Sequence, residues 1–142
     1  MNPAISLPFE EIWNLNCVNQ EDVTTGKEHL LVVYFSGDAC RDCLYDCLRE
    51  INIYYENFKD DLDFLLVSKD MQPRELRQFR KAKYVSYPMA MDPEGRLEIS
   101  APLFVAVMEI GRRQPMLIYQ PELSHDLKSQ FQKLFDFVAT IF

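Results

Sequence analysis

Leu30-Leu31-Val32-Val33-Tyr34-Phe35-Ser36-Gly37-Asp38-Ala39-Cys40-Arg41-Asp42-Cys43 carries the strongest structural signal in this chain. An apolar run of strand length ends in a short polar loop, and the loop delivers two cysteines spaced C-x-x-C. Immediately beyond, Leu44, Cys47, Leu48, Ile51, Tyr54, Tyr55 and Phe58 recur at steps of three and four, which predicts a helix from Arg41 to Phe58. Strand, dithiol and helix in that order put the cysteines at the first helical turn, beside the carboxyl end of the strand. There the helix dipole and the unpaired backbone N–H groups favour a thiolate. A thiolate with a second thiol one turn away can attack a disulfide and then resolve the mixed disulfide.

Working outward, Asp63 to Ser68 reads as a second buried strand. Asp70 is a candidate cap for a helix near Pro73, with Leu76 and Phe79 facing inward and Arg74, Arg77, Arg80 and Lys81 facing solvent. Val85 to Met91 is a short extended segment, and Asp92-Pro93-Glu94-Gly95 is a turn. Leu103 to Ile110 alternates as a strand, Gly111 to Gln114 turns the chain, and Met116 to Tyr119 returns as its hairpin partner. Ser124 is the expected cap of a final helix built on Leu127, Phe131, Leu134, Phe135 and Val138. Residues 1–27 read as an arm, with a short helical face on Phe9, Ile12, Trp13 and Val18, then a polar loop containing Gly26. The order βα, βα, ββα predicts an α/β domain: a mixed central sheet flanked by helices on both faces, with one domain over 1–142 and its core at 28–140.

Composition narrows the function classes. The chain has 142 residues, 48% of them hydrophobic, which suits a single packed core. Its 22 acidic against 15 basic residues leave a net charge of −7, which disfavours nucleic acid as a partner because phosphate contacts need a basic surface. No stretch approaches the ~20 apolar residues of a membrane span. Met1-Asn2-Pro3 lacks the basic start and apolar segment of a secretory leader, so either Met1 is a native cytoplasmic start or a leader was removed; the sequence leaves both open.

Four cysteines (Cys17, Cys40, Cys43 and Cys47) are too sparse for a disulfide scaffold, and three lie within eight positions, which suggests chemistry. Cys40 is the expected nucleophile and Cys43 the resolving thiol. Arg41 favours the Cys40 thiolate, whereas Asp38, Asp42 and Asp46 oppose it, which points to a reductant or isomerase rather than a disulfide donor. Asp46 is a candidate proton acceptor during resolution, or else an exposed helix acid. Cys47 reads as a buried core thiol, or as a third sulfur for Cys43 or a metal. Cys17 reads as structural. His29 and His125 belong to no triad. Tyr34, Tyr45, Tyr87 and Phe104 are either core or an apolar rim of the site.

The strand–C-x-x-C–helix order, with the later X-Pro-strand Ala101-Pro102-Leu103-Phe104-Val105, resembles the thioredoxin fold. Within it the chain is similar to the TlpA-like thiol–disulfide oxidoreductases over residues 28–140. Val85 to Gly95 resembles that family's "fP-x-x-x-D-x-x-G" stretch, and Ala101 to Val105 its "x-P-t-t-f" motif. Asp46 stands six residues after the first cysteine, where the family often carries a glutamate. The chain departs from the pattern in Ala39, where tryptophan is usual, in Ala101, where threonine is usual, and in the Arg41-Asp42 pair. The resemblance implies a cis peptide before Pro102, with Pro88 as its rival, and a substrate contact surface of Ala39, Arg41, Asp42, Ala101 and Pro102. It implies exchange with protein disulfides, an upstream electron donor, no cofactor, and a cell-envelope setting. Two other readings stay open: a non-catalytic interaction module, and a metal site on Cys40, Cys43 and Cys47.

Overall fold

The apolar runs fall at the centre of one mixed sheet. The structure, a computed structural model, describes residues 15–18, 26–36, 41–92, 102–109, 111–112, 115–122 and 126–141. In chain order these form β1 (Asn16–Cys17), β2 (His29–Phe35), α1 (Arg41–Phe58), β3 (Asp63–Ser68), α2 (Pro73–Lys81), β4 (Met89–Met91), β5 (Leu103–Glu109), β6 (Leu117–Tyr119) and α3 (Leu127–Ala139). The sheet order is β1-β4-β3-β2-β5-β6. Strand β2 runs parallel to β3, from Leu30 opposite Asp63 to Phe35 opposite Ser68, and antiparallel to β5, with Phe35 opposite Leu103. Strand β4 continues the parallel half, and β6 closes the antiparallel half as a hairpin with β5. Gly111, at φ +90°, takes the turn of that hairpin.

The period of two along β2 divides the core. Leu31, Val33 and Phe35 pack with Leu44, Cys47, Leu48 and Ile51 of α1, with Leu76 and Phe79 of α2, and with Phe131, Leu134, Phe135 and Val138 of α3. Leu30, Val32 and Tyr34 point the other way, to a second cluster with Leu65, Val67, Phe104, Ala106, Met108 and Leu15. The α/β class and the mixed sheet are as expected, but the helical cover differs. The three helices all join the first cluster, and no described helix covers the second. Handedness explains this for α1 and α2. The chain steps from β2 to β3 to β4 in one direction, and two right-handed crossovers taken in the same direction put both helices on the same face.

Other local expectations are corrected. Gln72, not Asp70, caps α2: its side chain and that of Glu75 form a reciprocal capping box around Pro73 at the first turn. The cap of α3 is Asp126, whose Oδ1 accepts from the Ser129 N–H, while Ser124 lies outside the described residues. Asn16–Cys17 is an edge strand on β4 rather than part of a helix, because it follows the free edge that β4 exposes. The remainder of the arm helix and the Pro93–Gly95 part of the turn lie outside the described residues. The extended segment narrows to Met89–Met91. Arg80 does not face solvent. Its Nε donates to the Val85 carbonyl at 3.1 Å and a terminal nitrogen donates to the Tyr87 carbonyl at 2.6 Å, which fixes the passage from α2 into β4. No helix among the described residues is long and apolar enough to cross a membrane.

Candidate functional site

The site grows from the carboxyl edge of the sheet. At that edge β2 ends at Phe35, and the Ser36 N–H donates to the Pro102 carbonyl at 3.0 Å. On the other side the Lys69 N–H donates to the Phe35 carbonyl at 3.2 Å, and the Asp92 N–H donates to the Ser68 carbonyl at 2.8 Å. The chain after β2 is therefore held between the residue that opens β5 and the residue that leaves β3. Four residues separate Ser36 from Arg41, the first residue of α1. Cys40 immediately precedes α1 in the chain; it lies outside the described residues, together with Ala39 and Asp38.

Cys43 is the third residue of α1 and is half-buried. Cys47, one turn further along, is fully buried. Burial pushes its thiol pKa up to about 12, with Cys43, Asp46 and Glu50 adding to the rise. Cys47 thus stays a neutral thiol and packs as a small apolar side chain. Asp42 is exposed in the first turn of α1, where a carboxylate complements the helix dipole. Asp46 is also exposed and is ion-paired with Arg49, one turn along the same helix.

Arg41 reaches across to α2. One terminal nitrogen lies 3.4 Å from Oε2 of Glu75 and the other 3.7 Å from Sδ of Met71. Its charge is therefore shared with Glu75, which sequence reasoning missed. A usable signal was present: residues that follow a parallel strand gather at the same sheet edge as those following its neighbour, so the 69–75 segment after β3 had to meet the 36–41 segment after β2.

Pro102 is half-buried at the first position before β5 and meets Ser36. Pro88 is elsewhere. Its carbonyl accepts from the Leu66 N–H at 3.0 Å, at the start of β4, and β3 stands between β4 and β2. There is no cis peptide bond among the described residues, Tyr87–Pro88 included; Ala101, and with it the peptide preceding Pro102, lies outside them.

The aromatic residues divide. Tyr34, Tyr87 and Phe104 are buried core. The Tyr34 hydroxyl has no hydrogen-bond partner among the described residues, and its pKa is pushed up to about 12 by burial, then by Asp92 and Asp70. Tyr45 instead lies beside the site, stacked on Tyr84 at 5.2 Å and edge-on to Phe79 at 5.8 Å. His29 begins β2, away from the carboxyl edge, and His125 lies outside the described residues.

The backbone answers the question of fold. The fold is thioredoxin-like. The chain is similar to a thioredoxin-like protein from Porphyromonas gingivalis, with a TM-score of 0.61, 16% identity and coverage of 86% of each chain. It is similar to a thiol-disulfide oxidoreductase from Bacteroides fragilis, with a TM-score of 0.59, 12% identity and coverage of 84% of this chain and 94% of that one. It is also similar to a cysteine-to-serine mutant of peroxiredoxin Q from Xanthomonas campestris, with a TM-score of 0.66, 12% identity and coverage of 96% of this chain and 98% of that one. No family model matches the sequence, and no curated protein matches it significantly. At these identities the thioredoxin-like likeness is one of architecture.

Proposed function

We propose that this protein exchanges its Cys40–Cys43 dithiol with disulfides of protein substrates, in the reducing direction. The observation that carries the proposal is the Ser36–Pro102 hydrogen bond within a thioredoxin-like sheet. It joins the strand that leads into C-x-x-C to the strand that Pro102 opens, so a peptide lying along Ala101-Pro102 would run beside the dithiol.

The chemistry balances without a bound cofactor. The Cys40 thiolate attacks one sulfur of the substrate disulfide, forms a mixed disulfide and expels the first substrate thiolate. Cys43 loses its proton and attacks Sγ of Cys40, which expels the second substrate thiolate. The substrate gains two electrons and the protein is left with a Cys40–Cys43 disulfide, which a dithiol donor must reduce before the next cycle. The N-terminus of the 18-residue helix α1 favours the Cys40 thiolate. Asp46 takes the Cys43 proton through solvent, since its carboxylate is exposed one turn along the helix. Ala39, Arg41 and Asp42 complete the contact surface with Ala101 and Pro102.

Electrostatics support the reducing direction. Asp38, Asp42 and Asp46 oppose the thiolate, and the cation among them, Arg41, is shared with Glu75. A metal site on Cys40, Cys43 and Cys47 is the weaker reading, because Cys47 is fully buried in the apolar cluster that holds Leu44, Leu48 and Ile51.

Insulin reduction by the dithiothreitol-coupled assay tests the proposal. The wild-type chain is expected to accelerate precipitation of the insulin B chain. Cys40→Ser should abolish this, and pre-reduced Cys43→Ser mixed with insulin in the absence of dithiothreitol should accumulate a mixed disulfide. No acceleration would leave the fold as an interaction module, a reading that the departures at Ala39 and Ala101 favour. A reduction potential near that of the strong oxidants, ~−120 mV, would reverse the direction.

A further inference from the structure

We propose that the cleft between α1 and α2 receives an aromatic side chain of the polypeptide whose disulfide is being reduced. This rests on the exchange chemistry proposed above and adds to it a sequence preference.

The cleft has a volume of about 260 Å³ and is walled by Arg41 and Tyr45 of α1, Glu75, Gln78 and Phe79 of α2, and Met71 from the loop before α2. Tyr84 also lines it, stacked on Tyr45. A smaller recess of about 50 Å³ continues it towards Phe35 and Ser36, sharing Arg41, Met71 and Glu75. The two linings thus reach from Phe35 and Ser36 at the end of β2, through the shared Arg41, Met71 and Glu75, to the Tyr45–Tyr84 pair. Arg41, which lines both spaces, is next in the chain to Cys40, the proposed nucleophile.

Three properties select the occupant. The volume lies below the ~300–1,000 Å³ of sites for drug-sized ligands and cofactors, so it suits one large side chain. The walls carry a thioether and ring faces and edges, which favour another ring over a branched aliphatic group. Among the lining residues is a guanidinium held by a 3.4 Å contact to Glu75 and a 3.7 Å contact to Sδ of Met71. An exposed pair of that kind is weak, and it frees Arg41 to lie over an incoming ring. A substrate strand rises ~3.3 Å per residue, which places the ring within about three residues of the attacked cysteine.

Steady-state reduction of peptide disulfides by the full chain, with dithiothreitol as the reductant and its uncatalysed rate subtracted, tests this. The peptides are identical except for tryptophan, leucine or serine at each of the three positions on either side of the cysteine, and hydroxyethyl disulfide is a substrate without side chains. At one or more positions tryptophan should raise kcat/KM roughly tenfold over serine, and clearly above leucine. Gln78→Trp, which fills the cleft from an exposed position on α2, should bring the tryptophan-to-serine ratio close to one. No preference at any position, or equal preference for leucine and tryptophan, overturns the assignment. So does a Gln78→Trp variant that folds and keeps the preference. If that variant does not fold, the wild-type series decides alone. Failure to reduce even hydroxyethyl disulfide overturns the exchange chemistry, and this assignment with it; reduction of hydroxyethyl disulfide without preference removes only the cleft.

Discussion

The backbone N–H of Ser36 and the carbonyl of Pro102 meet at 3.0 Å, across 66 positions of sequence, at the point where β2 gives way to the cysteine-bearing loop. This bond extends the β2–β5 ladder by one residue beyond the Phe35–Leu103 pair. It makes the backbone around Pro102 one wall of the proposed site. Pro102→Ala keeps the carbonyl but frees φ at 102 and releases the restriction on residue 101. The expected result is a stability loss of about 0.5–1 kcal/mol, from the greater freedom of the unfolded chain. Insulin reduction should fall by about tenfold as peptide alignment is lost. Unchanged turnover would remove Pro102 from the contact surface.

Glu75→Gln tests how Arg41 is used. The exposed ion pair contributes little stability, so the melting temperature should barely move. The unshared guanidinium would then act more strongly on its neighbour. The pKa of the Cys40 thiol should fall, and iodoacetamide should alkylate it faster at pH 7 than in wild type. An unchanged pH profile of alkylation would show that Arg41 does not influence the nucleophile.

Alkaline pH should unfold this protein in a defined window. Cys47 and Tyr34 each titrate near 12 in the folded chain, above the ordinary values of 9.0 and 10.0. Their pKa values are raised on folding. The stability linked to them is therefore complete below about pH 9 and is lost as pH rises towards 12, since the unfolded chain gives up those protons first. Urea midpoints measured from pH 7 to 11 should decline above pH 9. Cys47→Ala should flatten the decline at a cost of about 1 kcal/mol at neutral pH, and the Cys47 thiol should react with Ellman's reagent only after denaturation. Tyr34→Phe should also flatten it. At neutral pH it should be neutral or stabilising by up to ~1 kcal/mol, because it removes a buried hydroxyl that has no partner among the described residues and keeps the stack on Phe104. A midpoint independent of pH to 11 would contradict both assignments.

Arg80→Ala should destabilise the chain by about 2–3 kcal/mol, as the carbonyls of Val85 and Tyr87 lose charge-assisted donors in a partly buried setting. Arg80→Lys should recover less than half of the loss, because one ammonium cannot reproduce the fork that reaches both. Thermal melts of the two variants check this. Equal stability of Lys and Arg at this position would show that charge alone matters.

The central strands were legible because each carries its own signal. The runs His29–Phe35 and Asp63–Ser68 are too apolar for any place but the middle of a sheet, and the three-and-four spacing from Leu44 to Phe58 admits only a helix with one buried face. Local hydrogen bonding and burial determine such segments, so the residue pattern was enough to set the C-x-x-C at the passage from strand to helix. What pairs with that passage was not local. Asn16–Cys17 is a strand only because β4 offers it an edge, and Gln72 outranks Asp70 as a cap only because Glu75 returns the bond. Arg80 looked like one of four solvent-facing cations until the loop after α2 folded the carbonyls of Val85 and Tyr87 back onto it. Pro102, which the order of the following elements already favoured over Pro88, meets the end of β2 only through the β2–β5 pairing, and only the packing of α1 on α2 makes Glu75 and Met71 share Arg41. Those contacts depend on strand order and crossover handedness, which bring together residues that no spacing along the chain relates.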